Sequence, residues 1–286
     1  MNDIIDVVGI SGGKDSTATA LLAFEHLETP PRYVFCDTGL EAPVTYEYVE
    51  YLSEKLKALT GGGVEVIKAD FSDRMAKKRE KLLALGETDR ANALVPTGNP
   101  FLDLCVWKGR FPSTKARFCT QELKIEPIKE YLAEIVNEGN DVMSWSGERA
   151  EESLARSKKP VKEVLLKTEK GTAYTYRPLL RWKEQDCFNK LKQFGIEPNP
   201  LYKDGFNRVG CFPCMMCRKS EIKLIADFYP EVWDRLEDWE RKVASASKRQ
   251  AASFFPFEGD RKTIRDHIEW SKTSRGGKQY QLELDE

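Results

Sequence analysis

The segment that most clearly indicates chemistry is a short polar turn with the sequence SGGKDS, residues 11–16. Gly12 and Gly13 would let the backbone approach a ligand closely, while Lys14 supplies a cation and Ser11 and Ser16 supply hydroxyl groups. Helical spacing begins at Lys14, and the amides at a helix N-terminus bind anions. The turn therefore indicates a site for a diphosphate or phosphosulfate, with an ordinary glycine-rich strand-to-helix turn as the alternative.

A second candidate site is the cysteine-rich segment GCFPCMMCRKS, which holds Cys211, Cys214 and Cys217 with two residues between successive cysteines. Such crowding within a chain of seven cysteines indicates a metal or redox role. The spacing resembles that of iron–sulfur ligands, and thiolates also suit tetrahedral Zn²⁺. A fourth ligand has to come from elsewhere in the chain, and unligated cysteines packed in the core are the remaining alternative.

Two arginines form a third candidate, in the segment GERAEESLAR. Arg149 and Arg156 are seven residues apart, so they would share one face of a helix if the segment is helical. A guanidinium group recognises phosphate or sulfate oxygens with two parallel hydrogen bonds. The alternative is that these are surface arginines paired with Glu151 or Glu152.

The elements that must position these residues alternate between strands and helices. The segment DIIDVVGI predicts a strand, followed by the glycine turn and a helix through TATALLAFEHL. The pattern repeats twice, with strands in RYVFCDTG and GGGVEVIKAD. This alternation predicts an α/β fold, with a parallel twisted sheet and helices on both faces. Ligands of such sheets lie at the carboxyl ends of the strands, where the glycine turn and Asp37, Thr38 and Gly39 fall.

The later part of the chain is less regular. Residues 86–118 are rich in Gly, Pro and Asn and predict a long, largely irregular functional loop. We expect a helix near 121–138, a strand in DVMSWSG, and a hairpin or edge strands within 162–180. Helices follow near 184–194, 219–228, 230–247 and 260–271. The sequence thus predicts a nucleotide-binding domain in residues 1–200, and a cysteine cluster with a mainly helical region in 201–286.

The amino-acid composition excludes few classes of protein. The chain has 286 residues, 41% hydrophobic and 32% charged, with a net charge of −1. No apolar run is long enough to span a bilayer and the first residues do not resemble a signal peptide, so we expect a cytoplasmic protein. Local positive charge in residues 108–124 and 241–278 would suit a polyanion such as nucleic acid, or an ordinary solvated surface.

Four segments in order resemble the PP-loop nucleotide-binding proteins, which include N-type ATP pyrophosphatases and the phosphoadenosine-phosphosulfate (PAPS) reductase family. They are SGGKDS, CDTGLEAPVT, GERAEESLAR and RPLLRWKEQDCFNKLKQFGIEPNPLY. The resemblance covers about residues 4–220. It implies a HUP-like fold of the adenine nucleotide alpha-hydrolase type.

The resemblance also implies roles for residues. The catalytic set would be Lys14, Asp15 and Arg149, with Asp15 helping to hold Mg²⁺ if the ligand is ATP. The nucleotide-binding set would be Ser11, Gly12, Gly13, Lys14, Ser16, Asp37, Thr38, Gly39, Arg149 and Arg156.

The fourth metal ligand is also assigned by resemblance. In iron–sulfur adenosine-phosphosulfate (APS) reductases, two adjacent cysteines precede a later Cys-x-x-Cys pair. Here Cys119 is similar to the first of the two and Thr120 replaces the second, while Cys211 and Cys214 match the later pair and Cys217 is extra. We therefore expect Cys119, Cys211, Cys214 and Cys217 to hold a [4Fe–4S] cluster, with zinc as the alternative.

Two enzymatic functions and one non-enzymatic function follow. An ATP-dependent, adenylating iron–sulfur sulfurtransferase would use ATP with Mg²⁺, a nucleic-acid or small-molecule acceptor, and a sulfur donor such as a cysteine desulfurase. A PAPS or APS reductase would need a C-terminal cysteine nucleophile, and no cysteine follows Cys217. The third hypothesis is a nucleotide-sensing iron–sulfur protein. The sequence identifies neither the acceptor nor the oligomeric state.

Overall fold

The structure, a computed structural model, describes residues 3–257, 259 and 261–274. Its central feature among these residues is one six-stranded sheet with the strand order β3-β2-β1-β4-β6-β5. The strands are β1 Ile4–Ile10, β2 Arg32–Cys36, β3 Val64–Ile67, β4 Asp141–Trp145, β5 Lys162–Lys167 and β6 Thr172–Tyr176. All neighbouring pairs are parallel except β5 and β6, which form an antiparallel hairpin. The predicted α/β fold and the hairpin are confirmed.

Helices and helical turns make up most of the remainder. The α-helices are α1 Lys14–His26, α2 Pro43–Thr60, α3 Ser72–Ala84, α4 Thr88–Asn92, α5 Pro100–Lys108, α6 Phe118–Thr120, α7 Glu126–Asn137, α8 Leu154–Ser157, α9 Glu184–Gln193, α10 Lys219–Phe228, α11 Glu231–Ala246 and α12 Ile264–Ser271. Within the described residues, two short 3₁₀ turns, Ala150–Glu152 and Pro200–Tyr202, and one π turn, Gln121–Ile125, complete the set. The four helices predicted after residue 183 correspond to α9–α12. No helix of the described residues is long and apolar enough to cross a membrane.

The chain divides into two compact units that are interleaved in sequence. Unit 1 consists of residues 1–37, 42–68 and 124–210, and unit 2 of residues 38–41, 69–123 and 211–286. Unit 1 contains the whole sheet. The functional division predicted near residue 200 stays a prediction, and part of its second region, like part of the basic stretch 241–278, lies outside the described residues.

Unit 1 buries apolar side chains on both faces of the sheet. Val7 and Val8 are adjacent on β1 and both fully buried, because successive side chains of a strand point to opposite faces. Val8 packs in a cluster with residues of α1, α2 and α9, whereas Val7 packs with Leu132 and Val136 of α7. A strand covered on both faces is apolar along most of its length. β1 fits this pattern apart from Asp6, whose carboxylate accepts a hydrogen bond from Trp145 Nε1 at 2.7 Å.

Unit 2 is mainly helical and has an aromatic core. The ring of Phe101 on α5 stacks on Trp239 of α11 at 5.8 Å between centroids and also contacts Phe111 and Phe254. Helix α11 packs against both α4 and α5. Residues 69–123 and 211–286 therefore share one core.

The prediction of a largely irregular loop over residues 86–118 is wrong, because α4 and α5 lie within it. The residues that suggested irregularity delimit α5. The Asn99 side chain accepts a hydrogen bond from the Leu102 amide at 2.9 Å, Pro100 is the first helical residue, and Gly109 ends the helix with φ 66°. Asn, Pro and Gly at these positions are helix-capping signals, and the nine apolar-rich residues between them form the helix.

Candidate functional site

The turn between β1 and α1 is braced by its own side chains. The Ser11 amide donates to Ser16 Oγ at 3.0 Å, and Ser16 Oγ donates to the Gly13 carbonyl at 3.0 Å. Gly12 has φ 73°, and a Cβ there would lie 2.8 Å from Thr45 Cγ2, so both backbone conformation and space require glycine. The turn is a rigid feature at the carboxyl end of the central strand.

Lys14, the first residue of α1, is buried despite its charge, with 3% of its side chain exposed. Its ammonium lies 2.9 Å from Glu184 Oε1 and 3.3 Å from the Asn207 carbonyl. It also lies 5.0 Å from the centroid of the Tyr202 ring, and the Lys14 amide donates to the Tyr202 hydroxyl at 3.0 Å. Both the backbone and the ammonium of Lys14 are thus held in place within unit 1.

Asp15, the next residue, receives two donors on a single carboxylate oxygen. The Arg149 Nε group and the Cys187 thiol both donate to Asp15 Oδ1, the latter at 3.3 Å. Burial alone would lower the pKa of Arg149, but the adjacent Asp15 carboxylate outweighs it and raises the pKa. Burial, followed by the Asp15 charge, raises the pKa of Cys187 to about 12, so this thiol stays protonated and acts as a donor.

Gly147 explains how Arg149 reaches the turn. A Cβ at Gly147 would lie 2.8 Å from the carbonyl carbon and oxygen of Asp15, so only glycine permits this approach of the chain after β4 to α1. Asn199 supports the turn from another side, because its Nδ2 donates to the Gly12 carbonyl at 3.1 Å. Sequence analysis did not single out Gly147, Asn199 or Tyr202, although they lie in the quoted segments GERAEESLAR and IEPNPLY.

Arg156 does not join this cluster of contacts. It is 39% exposed and forms an ion pair with Glu152, as the surface alternative described. Arg149 and Arg156 would share one face only if the segment between them were a single helix, and it is not. Ser153, between the 3₁₀ turn and α8, has an extended backbone with φ −170°, which interrupts the helix. Its nucleotide-binding role stays a prediction.

The segment after β2 is divided between the two units. In unit 1, the Asp37 carboxylate accepts a hydrogen bond from the Tyr46 hydroxyl at 2.8 Å. In unit 2, Thr38 Oγ1 donates to the buried Glu41 carboxylate at 2.7 Å, and Gly39 has φ 74° with its carbonyl bonded to Asn99 Nδ2. Glu41, which sequence analysis did not consider, thus closes the turn that contains Thr38 and Gly39.

Comparison with known proteins decides the family. The sequence profile of the phosphoadenosine phosphosulfate reductase domain matches residues 6–217, about three quarters of the chain. The chain belongs to the PAPS reductase family. The turn, Arg149 and the Asn199 segment all lie within the matched residues, and so do all four cysteines predicted as metal ligands.

Individual relatives of this PAPS reductase family member differ in extent. A 37.8 kDa uncharacterized protein of Escherichia phage 186 is 40% identical over an alignment that covers 97% of this chain and 91% of that protein. An adenosine 5′-phosphosulfate reductase of Burkholderia cepacia is 35% identical over 97 residues, 34% of this chain and 35% of that one. A crystal structure of PAPS reductase from Candida auris in complex with phosphate has a TM-score of 0.46 and 16% identity, and covers 75% of this chain and 83% of that one.

The four predicted metal ligands all lie in unit 2 and are half-buried thiols. The Cys217 amide donates to the Cys214 carbonyl at 2.8 Å and the Met216 amide to Cys214 Sγ at 3.4 Å, which forms a tight turn around Cys214. Cys211 pairs with Glu41 in an antiparallel bridge. As the side chains stand, no three Cys, His, Asp or Glu residues in the described ranges form a metal-holding group. The ligand set stays a prediction.

Proposed function

We propose that this PAPS reductase family member binds ATP with Mg²⁺ at the β1–α1 turn and acts as an adenylating sulfurtransferase. The observation that carries the proposal is the Asp15–Arg149 pair beside the buried Lys14 ammonium. A phosphate turn that needs cations alone has no use for a carboxylate, whereas Mg·ATP needs both cations for phosphate oxygens and a carboxylate for the metal.

In the proposed reaction, an oxygen atom of the acceptor attacks the α-phosphorus of ATP. The bond between the α-phosphorus and the bridging oxygen breaks, and pyrophosphate leaves with the electron pair. Lys14, Arg149 and the amides at the start of α1 would stabilise the negative charge that develops on the leaving oxygens. The acceptor is then an adenylate. The terminal sulfur of a persulfide on a separate donor, such as a cysteine desulfurase, attacks the atom that carries the adenylate oxygen, the bond to that oxygen breaks, and AMP leaves. The resulting donor–acceptor disulfide is cleaved by an external thiol, which supplies the two electrons and releases the thiolated acceptor.

The family resemblance supports a sulfur-transfer role, since thiolation enzymes of the PP-loop type combine an adenylating site with cysteine clusters. The acceptor in this proposal is a nucleic acid or a small molecule. An iron–sulfur cluster on Cys119, Cys211, Cys214 and Cys217 would serve to hold or deliver sulfur, which is the chemistry such thiolate-bound clusters add.

A sulfonucleotide reductase is the second candidate, favoured by the similarity to the APS reductase of Burkholderia cepacia over 97 residues. A reductase needs a thiolate that attacks the sulfate sulfur, and residues 218–286 contain no cysteine. Cys187 does not substitute for it, because it is buried and its raised pKa keeps it protonated. A nucleotide-sensing protein without turnover is the third candidate.

The deciding experiment offers the protein ATP with Mg²⁺, APS and PAPS in parallel, and analyses any nucleotide that co-purifies. We expect ATP or AMP to co-purify, and AMP and pyrophosphate to be released over many turnovers when donor and acceptor are present. Lys14→Ala should abolish release. Lys190→Ala on α9, which removes an ion pair with Glu25 of α1, should not. Sulfite release from APS or PAPS would show a reductase, and binding without turnover a sensor.

A further inference from the structure

The two cations of the candidate phosphate site, Lys14 and Arg149, are buried, whereas the glutamates that pair with them are not. Lys14 exposes 3% of its side chain and Arg149 exposes 5%. Glu184, which pairs with Lys14, exposes 53%, and Glu151, which pairs with Arg149, exposes 45%. The cations are therefore fixed by the surrounding structure, while each glutamate can rotate into water.

The two glutamates also contact each other through the backbone. The Glu184 amide, at the first residue of α9, donates to Glu151 Oε1 at 2.9 Å. Glu151 thus contacts both Arg149 and the N-terminus of α9, next to the ion pair of Glu184 with Lys14. Each glutamate side chain can leave its cation by a rotation of its own.

We propose that Glu151 and Glu184 compete with the phosphates of the ligand for Lys14 and Arg149, and so determine which anions bind. The inference rests on the proposed phosphate site. Carboxylate and phosphate oxygens accept the same N–H donors, so a phosphate gains these contacts only by displacing a glutamate. A half-exposed ion pair is weak, and its carboxylate is readily rehydrated.

The consequence is selectivity by charge. An anion with one negative charge gains little over the glutamate that it displaces. A diphosphate or triphosphate brings several charges to both cations at once, so it binds them more strongly than the two glutamates do. Glu151 and Glu184 are thus specificity-determining residues that favour multiply charged ligands over the monovalent anions of the solution.

The test is calorimetric titration with inorganic pyrophosphate, without Mg²⁺, of the wild type, Glu151→Gln and Glu184→Gln. We expect each substitution to tighten binding about threefold to tenfold, because it removes a competitor and leaves the cation in place. Adenosine, which has no phosphate, serves as a second probe. Its affinity should not change, which separates charge competition from a general change in the site.

Glu163→Gln is the matched control. Glu163 is 43% exposed and pairs with the buried Arg177, as Glu151 pairs with Arg149, but it lies on β5 and does not contact the turn. This variant should bind pyrophosphate like the wild type. Unchanged or weaker pyrophosphate binding in both test variants, with melting temperatures near that of the wild type, would overturn this inference and leave the proposed phosphate site standing. If neither the wild type nor any variant binds pyrophosphate or ATP, the phosphate site itself is wrong, and the inference falls with it.

Discussion

At the scale of single residues, Asp15 is the most constrained group of the candidate site. Its Oδ1 atom accepts from both Arg149 and Cys187, whereas Oδ2 lies 3.8 Å from the Lys14 ammonium. Two donors on one oxygen fix the plane of the carboxylate. This arrangement suits a group that has to present its second oxygen to a metal ion in a defined direction.

Replacing Asp15 with Asn should therefore weaken Mg²⁺-dependent ATP binding by about tenfold or more, with a much smaller effect on Mg²⁺-free binding. The amide is a poorer ligand for a hard cation than the carboxylate. Titration of ATP with and without Mg²⁺ measures both affinities. Asp141→Asn, at the opposite end of the parallel strands, is the control. Equal losses in the two titrations would indicate a metal-free sulfonucleotide as the ligand.

The cysteine prediction also belongs to this scale. We expect protein purified without oxygen to contain about four irons per chain, and Cys119→Ser to lose them. Cys105→Ala is the matched control, because burial and the neighbouring Cys119 raise the pKa of Cys105 well above its usual value and make it a poor thiolate. Metal analysis with absorption spectroscopy checks this. Zinc in place of iron would leave a structural site, and an intact cluster in Cys119→Ser would show that the fourth ligand is another residue.

At the scale of elements, the site depends on how closely the chain after β4 approaches α1. Gly147→Ala forces a methyl group against the Asp15 carbonyl, so it should separate Arg149 from Asp15 and weaken nucleotide binding while the sheet persists. Gly62→Ala is a suitable control, since a Cβ there meets only Thr60 Oγ1 at 3.9 Å. Titration of ATP and circular dichroism of both variants measure the two effects. Unaltered affinity in Gly147→Ala would mean that the approach of these elements does not position Arg149 for binding.

The same segment contains a half-buried carboxylate that links the end of β4 to the residue after β6. Glu148 accepts from Lys159 at 2.7 Å and from Arg177 Nε at 3.0 Å. Burial acts to raise the pKa of Glu148, but Lys159 and Arg177 together outweigh it and lower the pKa below the ordinary value of 4.5. The charged form is thus the one that stabilises the fold.

Glu148→Gln should lower the free energy of unfolding by about 2 kcal/mol at neutral pH, because Lys159 and the buried Arg177 both lose a charged acceptor. A lowered folded-state pKa contributes stability that is complete above the unfolded pKa and disappears as pH falls through the folded value. The difference between wild type and variant should therefore shrink below pH 4.5. Urea denaturation across this pH range measures it. A constant difference would show that Glu148 acts through its shape rather than its charge.

At the scale of the whole molecule, each compact unit is assembled from separate stretches of the chain. The aromatic core of unit 2 joins Phe101 and Phe111 to Trp239 and Phe254, from residues 69–123 and 211–286. Burial of these large rings stabilises the folded state by several kcal/mol. The contacts of Phe101 with Trp239 and Phe254 need residues from both stretches. We therefore expect a single cut near residue 200 to leave the rings of Phe101 and Phe111 without the partners that cover them.

A chain that ends at residue 210 should aggregate or bind a hydrophobic dye, because it retains Phe101 and Phe111 without the partners that cover them. Solubility, dye fluorescence and near-ultraviolet circular dichroism of the fragment test this. Leu236→Ala in the full chain should destabilise unit 2 less than the truncation does. It leaves a cavity in place of a fully buried side chain but deletes no helix. A soluble, cooperatively folding fragment would support an independent domain in residues 1–200.

The sequence by itself determined the local features of this protein. Hydrophobic periodicity and glycine placement are read from neighbouring residues, so they correctly predicted the strand-turn-helix at residues 4–26, the hairpin of β5 and β6, and the helices after residue 183. The capping of α5 by Asn99 and Gly109 was also local, and it was missed because capping residues resemble loop residues in composition.

Only the tertiary structure decided which charges meet. Arg149 reaches Asp15 across 134 residues and Cys187 reaches it across 172, while Arg156, in the same segment as Arg149, stays at the surface with Glu152. The parallel order of β1 and β4 brings the first contact about, and the packing of α9 against α1 brings the second. Residue type and spacing do not encode such pairings. They depend on how the whole sheet and its helices assemble, because this assembly determines which side chains lie within contact distance of one another.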